Sequence, residues 1–219
     1  MKKDIKNNDF SSAWNYFYEK GDNYLKSSSE GIIKSLYATA SSQITLPEEE
    51  QLSILDFGCG DGKNIEIFDF NKHFVLGYDI STIAIKKASD SYPKCYFTTN
   101  KDEYLARKYH IVVADSCLDS MPWLDAVSSV TDIYGSLHTN GLFVLSLIES
   151  DSNKSQCDHN NSILIDNDFK KNTMQTYFDW VRIERLLLPM FDIISADNLK
   201  YTDSNGDLVT RWYISCRAF

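Results

Sequence analysis

The stretch that most constrains this chain is Ile54-Leu55-Asp56-Phe57-Gly58-Cys59-Gly60-Asp61-Gly62. Its apolar lead reads as a short buried strand and its glycines as a sharp turn, with a helix expected to begin at about Asn64. Glycines at alternate positions leave no Cβ in the way, so a ligand can press against the backbone. Two carboxylates frame the turn: Asp56 closes the strand and Asp61 sits inside the bend. They would repel a diphosphate resting there and suit a ligand carrying an ammonium or another positive charge. A dinucleotide fingerprint would also need a glycine at position 63, where Lys63 stands. The competing reading is an ordinary strand–turn–helix with no ligand. A second signal weighs against it: the run His73–Tyr78 ends on Asp79, roughly the 20-residue separation expected of an acid that holds a ribose.

The remainder alternates around that stretch. Strands are expected at 52–56, 73–78, 95–97, 109–114 and 142–148, separated by helices near 63–70, over 82–91 with Ser81 as N-cap, and near 101–106. Trp123, Val127, Val130, Tyr134 and Leu137 form a further helical stripe that should stop at Asn140-Gly141. Residues 149–172 read as a polar loop over the ligand-binding edge. Thr176–Asp179 fits a capping box for a helix through Leu187. Two final strands, 191–196 and 208–216, flank a hairpin signal at Ser204-Asn205-Gly206-Asp207. Upstream, Trp14, Phe17 and Tyr18 share a helix face, and Ser27-Ser28-Ser29-Glu30 starts a second helix before the linker at Pro47–Glu50. The expectation is an α/β, Rossmann-like, doubly wound seven-stranded sheet, mostly parallel with an antiparallel C-terminal hairpin. Residues 1–46 would form a helical cover and 47–219 the main domain, together one compact unit. Ligands of such sheets bind beyond the carboxyl ends of the strands.

Charge narrows the partners. With 22 Lys+Arg against 31 Asp+Glu, the net charge is −9, which argues against nucleic acid or an anionic membrane surface. The longest apolar run, Leu142–Ile148, is far short of a membrane span. The polar start lacks the features of a secretory signal, so a cytoplasmic location is expected. Five widely spaced cysteines read as reduced thiols, and Cys157-Asp158-His159 lacks the further ligands a zinc site needs, so no metal is expected.

The D-x-G-x-G-x-G spacing of Asp56–Gly62, followed by Gly77-Tyr78-Asp79-Ile80-Ser81, resembles the first two motifs of class I S-adenosylmethionine-dependent methyltransferases. Trp14-x-x-x-Tyr18-x-x-Gly21-Asp22-Asn23 is similar to the N-terminal segment of small bacterial members of the tellurite-resistance and thiopurine-methylating type. Val113–Pro122 is similar to the segment after their fourth strand. Leu137-x-x-Asn140-Gly141-Leu142 resembles their L-x-x-G-G turn, with Asn140 replacing the first glycine.

The resemblance implies a role for each matched position. The turn around Gly58, Cys59, Gly60 and Asp61 would meet the methionine part of S-adenosylmethionine, with Asp56 favouring its ammonium. Asp79 would accept from both ribose hydroxyls, Ile80 would lie on the adenine face, and Asn100, Lys101 or Asp102 would reach the adenine edge. Asp115 and Ser116 would pass near the sulfonium. Asp119 is the positional choice for a general base, against a reading as a loop-closing aspartate before Pro122; relatives often carry a histidine where Ser120 stands. Tyr18, Tyr24 and Tyr177 are candidates for the acceptor pocket, Tyr18 and Tyr24 equally for the core. Methyl transfer to a small molecule is the expected activity, oxygen favoured over nitrogen, with S-adenosylhomocysteine as product and a monomer or homodimer as assembly. A non-catalytic cofactor-binding module is the alternative.

Overall fold

The computed structural model describes residues 10–20, 30–48, 50–149, 162–166, 171–202 and 208–219. Seven strands form one sheet: β1 (Ser53–Phe57), β2 (Phe74–Tyr78), β3 (Tyr96–Thr98), β4 (Tyr109–Asp115), β5 (Leu137–Ile148), β8 (Phe191–Thr202) and β9 (Leu208–Ala218). Their order is β3-β2-β1-β4-β5-β9-β8, with β9 antiparallel to both β5 and β8 and the other pairs parallel. The expected seven-stranded mixed sheet is therefore present.

Side-chain alternation splits the core between two faces. Leu55, Val112, Phe143 and Leu145 pack on one side with α5 (Trp123–Ser136) and α6 (Trp180–Leu187). Ile54, Val75, Ile111, Val113 and Val144 pack on the other with α2 (Glu30–Ser41). Adjacent residues pointing to opposite, equally apolar faces explain why the strands read as continuous hydrophobic runs. Helix α1 (Phe10–Lys20) lies on α3 (Thr82–Ser91) through Phe17, Tyr18 and Ala84. Strand order reverses between β1 and β4, which opens a crevice at their carboxyl ends.

Several local expectations need correction. The helix near 63–70 is only a 3-10 turn at Ile65–Ile67, because Phe68 is already extended and Asp69 and Asn71 favour turns. Helix α5 ends at Ser136, earlier than Asn140-Gly141. The chain enters β5 directly, and Asn140, at φ 61°, lies where the register with β4 slips between Tyr109 and Ile111. His138 accordingly stands in β5. The polar loop contains an antiparallel pair, β6 (Ser162–Asp166) and β7 (Lys171–Thr176), which form their own two-stranded sheet. Its sequence signal is the apolar run Ile163-Leu164-Ile165. Helix α6 is capped by Asp179, whose carboxylate accepts from the Arg182 N–H at 2.8 Å, while the Thr176 hydroxyl donates instead to the Met121 carbonyl. The helix start at 27–29, the hairpin turn at 204–207, Tyr24, Cys157 and His159 lie outside the described residues. Among the described residues no helix is long and apolar enough to cross a membrane.

Candidate active site

Beyond the carboxyl ends of β1, β2 and β4 the glycine turn closes over the sheet. Gly58 and Gly60 have φ of 75° and 56°, the left-handed region that a side chain disfavours. A Cβ on Gly58 would stand 2.2 Å from the Cys117 Sγ, and one on Gly60 would stand 2.3 Å from the Tyr18 hydroxyl oxygen. The N–H groups of Gly58 and Cys59 both donate to the Tyr78 carbonyl, at 2.7 and 3.0 Å. The Gly60 N–H donates to Asp79 Oδ2 at 3.0 Å, and the Ser81 N–H to Oδ1 at 2.8 Å. The turn and the acid at the end of β2 thus meet directly.

Helix α1 is fastened at the same place. The Ser81 hydroxyl donates to Asn15 Oδ1 at 2.7 Å while accepting from the Ala84 N–H, and the Ile83 N–H also reaches Asn15. This sets Tyr18 against Gly60, so the tyrosine belongs both to the small α1–α3 core and to the lining of the turn. Asn15 had no sequence signal; its pairing depends on the docking of two helices.

Four carboxylates are buried along this edge: Asp56, Asp79, Asp115 and Asp119. Neither oxygen of Asp56 has a well-aligned hydrogen-bond partner, although the buried Asn64 side chain is near enough to pull its pKa down. Burial, then the neighbouring Asp115 charge, pushes its pKa up to about 7. Burial pushes Asp79 up to about 6, against the pull of the Ser81 and Gly60 N–H groups. Asp115 is the opposite case. Burial pushes it up, but Lys63, the Ser146 hydroxyl and Arg211 outweigh that and hold it below the usual carboxylate range. Its Oδ1 accepts from Ser146 at 2.6 Å and Ser116 at 3.2 Å, and Lys63 Nζ lies 3.2 Å from Oδ2. Ser116 sits at φ 57° with its N–H donating to the Ser146 hydroxyl.

Asp119 Oδ2 accepts from Arg211 Nη1 and from the Ile148 N–H, each at 2.8 Å. Its carbonyl accepts from Gln175 Nε2 at 2.7 Å. One residue thereby joins the segment after β4 to β5, β7 and β9. In the sequence Lys63 only excludes a dinucleotide motif, and no local signal marks Arg211.

Other expected residues are more dispersed. Ile80 and Asp61 are exposed at the rim, and Cys59 is buried beneath the turn. Burial, with Asp56 and Asp79 nearby, raises the Cys59 thiol well above its ordinary value. Asn100 uses its side chain to cap α4 (Lys101–Leu105), and Lys101 pairs with Asp132 of α5 at 2.5 Å. Tyr177 is half-buried between β7 and α6. His110 and His138 stack at 4.4 Å on the opposite rim, where the Ser53 N–H donates to His110 Nδ1. Among the described residues no cluster of His, Cys, Asp or Glu is arranged to hold a metal ion.

These residues fit an adenosyl cofactor with an amino-acid tail. The buried Asp56 oxygens call for a donor, the left-handed glycine turn packs directly on Asp79, and Asp79 retains lone pairs beyond the two in use.

Solved structures share this fold. Similar folds include a methyltransferase from Methanosarcina mazei described as SAM-dependent: TM-score 0.66, 18% identity, covering 80% of this chain and 99% of that one. Another is the 1,6-didemethyltoxoflavin-N1-methyltransferase of Burkholderia thailandensis: TM-score 0.67, 14% identity, 95% and 88% covered. A third is the magnesium protoporphyrin IX methyltransferase of Synechocystis PCC 6803: TM-score 0.64, 16% identity, 95% and 94% covered. The latter two were solved with S-adenosylhomocysteine bound. Curated protein sequences provide no match. A family described as a methyltransferase domain matches residues 30–199, a span that contains the glycine turn, Asp79, Asp115 and Asp119. The chain belongs to that methyltransferase-domain family, in the S-adenosylmethionine-dependent class that its turn and Asp79 resemble.

Proposed function

We propose that the protein methylates a small-molecule acceptor, using S-adenosylmethionine and releasing S-adenosylhomocysteine. The observation that carries this reading is the direct Gly60–Asp79 hydrogen bond, which sets a candidate ribose acceptor beside the glycine turn. When bound, the cofactor supplies a methyl group on a sulfonium. The chain's contribution is to bind, orient and exclude water.

Asp79 would use its remaining lone pairs for the ribose hydroxyls, and Asp56 would take the ammonium of the amino-acid tail. The backbone of Gly58, Cys59, Gly60 and Asp61 would lie along that tail, and Ile80 would cover the adenine. With their side chains engaged in capping and ion pairing, Asn100 and Lys101 would meet the adenine edge through backbone groups. Asp115 and Ser116 would border the sulfonium, where buried negative charge is favourable. Tyr18 and Tyr177 would wall the acceptor, and Tyr24 remains a candidate from the sequence.

The small-molecule class draws support from the acceptors named for two similar folds, a didemethyltoxoflavin and magnesium protoporphyrin IX. One of them methylates nitrogen, so the fold carries no preference for oxygen. Asp119 is the candidate base by position. Its pairing with Arg211 supports the loop-closing role instead.

Thermal melts test the cofactor reading. At a free concentration 100-fold above its dissociation constant a ligand stabilises by about 2.7 kcal/mol. S-adenosylhomocysteine should raise the melting temperature and NAD should leave it unchanged; the reverse result would overturn the assignment.

A further inference from the structure

Helix α6 turns Ile183, Leu186 and Leu187 into the core, a complete inward stripe for a helix of its length. Its outward face carries Val181, Arg185 and Leu188, which recur at i, i+4 and i+7 and are all exposed. Leu188 caps the helix with helical backbone, so it continues the same line. Val181 is 53% exposed and Leu188 47%. A helix that already has a buried face therefore presents a second apolar line to water, with charge only at its middle.

We propose that this face pairs with the same face of a second copy of the chain, the two α6 helices lying side by side and parallel about a two-fold axis. The charges choose both the partner and the orientation. Glu184 and Arg185 flank the apolar line on opposite sides, and among the described residues neither takes part in an ion pair. In a parallel pair each Arg185 comes beside Glu184 of the other copy, so two ion pairs close at once. Val181 then meets Val181 of the other copy, and Leu188 meets Leu188. An antiparallel pair would set Arg185 beside Arg185 and Glu184 beside Glu184, and like charges in contact are repulsive.

The neighbouring edge of the sheet is guarded against a rival contact. Strand β8 carries a bulge between Ile193 and Ser195 and exposes Asp192, Asp197 and Lys200, features that keep an edge strand from accepting another strand. One short helix from each copy makes a small interface, so the pair is weak and reversible. It also braces the approach to the crevice. Phe178, just before α6, donates its N–H to the Ile148 carbonyl at 3.0 Å, and Gln175 upstream holds Asp119. This inference is independent of the cofactor reading.

Sedimentation velocity on the full chain, over a concentration series reaching about 100 μM, tests the pairing. Wild type should move from monomer towards dimer as concentration rises. A monomer throughout overturns the proposal, and so does an assembly larger than a dimer, because a two-fold contact closes on itself. Leu188→Glu and Val181→Glu change exposed positions and should leave the melting temperature near wild type. Each should raise the dimer dissociation constant about tenfold or more, the scale for a charge placed at the centre of an interface. A dimer indifferent to both substitutions forms through another surface and overturns the assignment. Arg185→Glu should weaken the pair, and adding Glu184→Arg to the same chain should restore it, since both ion pairs re-form with their signs exchanged. Failure of the double variant to recover overturns the charge-selected arrangement.

Discussion

Asp56 and Asp119 are both buried carboxylates at the same edge of one sheet, yet the protein treats them in opposite ways. Around Asp119 every strong partner is internal: Arg211 from β9, the Ile148 N–H from β5, and Gln175 from β7 on its carbonyl. Around Asp56 the oxygens are left without a bond, and burial raises its pKa to about 7. A carboxylate with partners from three elements is a strut. One without any is destabilising until a donor arrives, and that is the character of a binding group. The β4–β5–β9 half of the crevice is therefore tied together by side-chain pairs, whereas on the β1–β2 half Asp56 has no such tie.

The sharpest way to break this contrast is to remove the strut. Asp119→Ala leaves Arg211 buried without its partner and should cost about 3–5 kcal/mol, a fall of roughly 6–20 °C in melting temperature. Adding Arg211→Met should recover part of the loss, because no unpaired guanidinium is then left buried. If the single variant melts like wild type, the strut assignment is wrong.

On the ligand-binding half, Asp79→Ala should retain the fold and lose S-adenosylhomocysteine affinity by about 10- to 100-fold, the scale of charged hydrogen bonds. Calorimetry showing wild-type affinity would remove Asp79 as the ribose acid.

The two halves should also differ in their response to pH. Asp56 and Asp79 keep their protons to about 7 and about 6 in the folded chain, above the unfolded value of roughly 4. Between about pH 4 and 7 the folded state therefore holds more protons, and stability must fall as pH rises. Ligand-free melting temperature should decline across this window, and Asp56→Asn should flatten the decline. S-adenosylhomocysteine affinity should rise across the same window as both carboxylates ionise. Asp115, with its lowered pKa, acts with the opposite sign and only at the acid end of the window, where the unfolded carboxylate still takes up a proton. A melting temperature that increases from pH 5 to 7 would contradict the assigned shifts.

The smallest effect concerns the fastening of α1. Asn15→Ala removes the acceptor shared by the Ser81 hydroxyl and the Ile83 N–H, at a cost of about 1 kcal/mol, or roughly 2–4 °C. Its influence on cofactor affinity should exceed that modest change if Tyr18 depends on α1 to lie against Gly60.

Much of this arrangement was legible from local signals. The apolar strand, the alternating glycines and the spacing to Asp79 act within single βα units, and each is a statement about backbone φ, burial or alternation that neighbouring residues settle. The β6–β7 pair was hidden because its apolar run is short and set in polar text. The start of β5 was hidden because Leu137 continues the helical stripe of α5 while already paired with Tyr109 in the sheet.

By itself, then, the sequence determined the class of sheet and the spacing that brings the glycine turn and Asp79 to one edge of it. Only the tertiary structure decided which buried acids are satisfied. Arg211 lies 92 residues from Asp119, and Asn15 lies 66 residues from Ser81. The charge state and role of a buried group depend on what packing brings within about 3–6 Å of it, and no local pattern of residues records that distance.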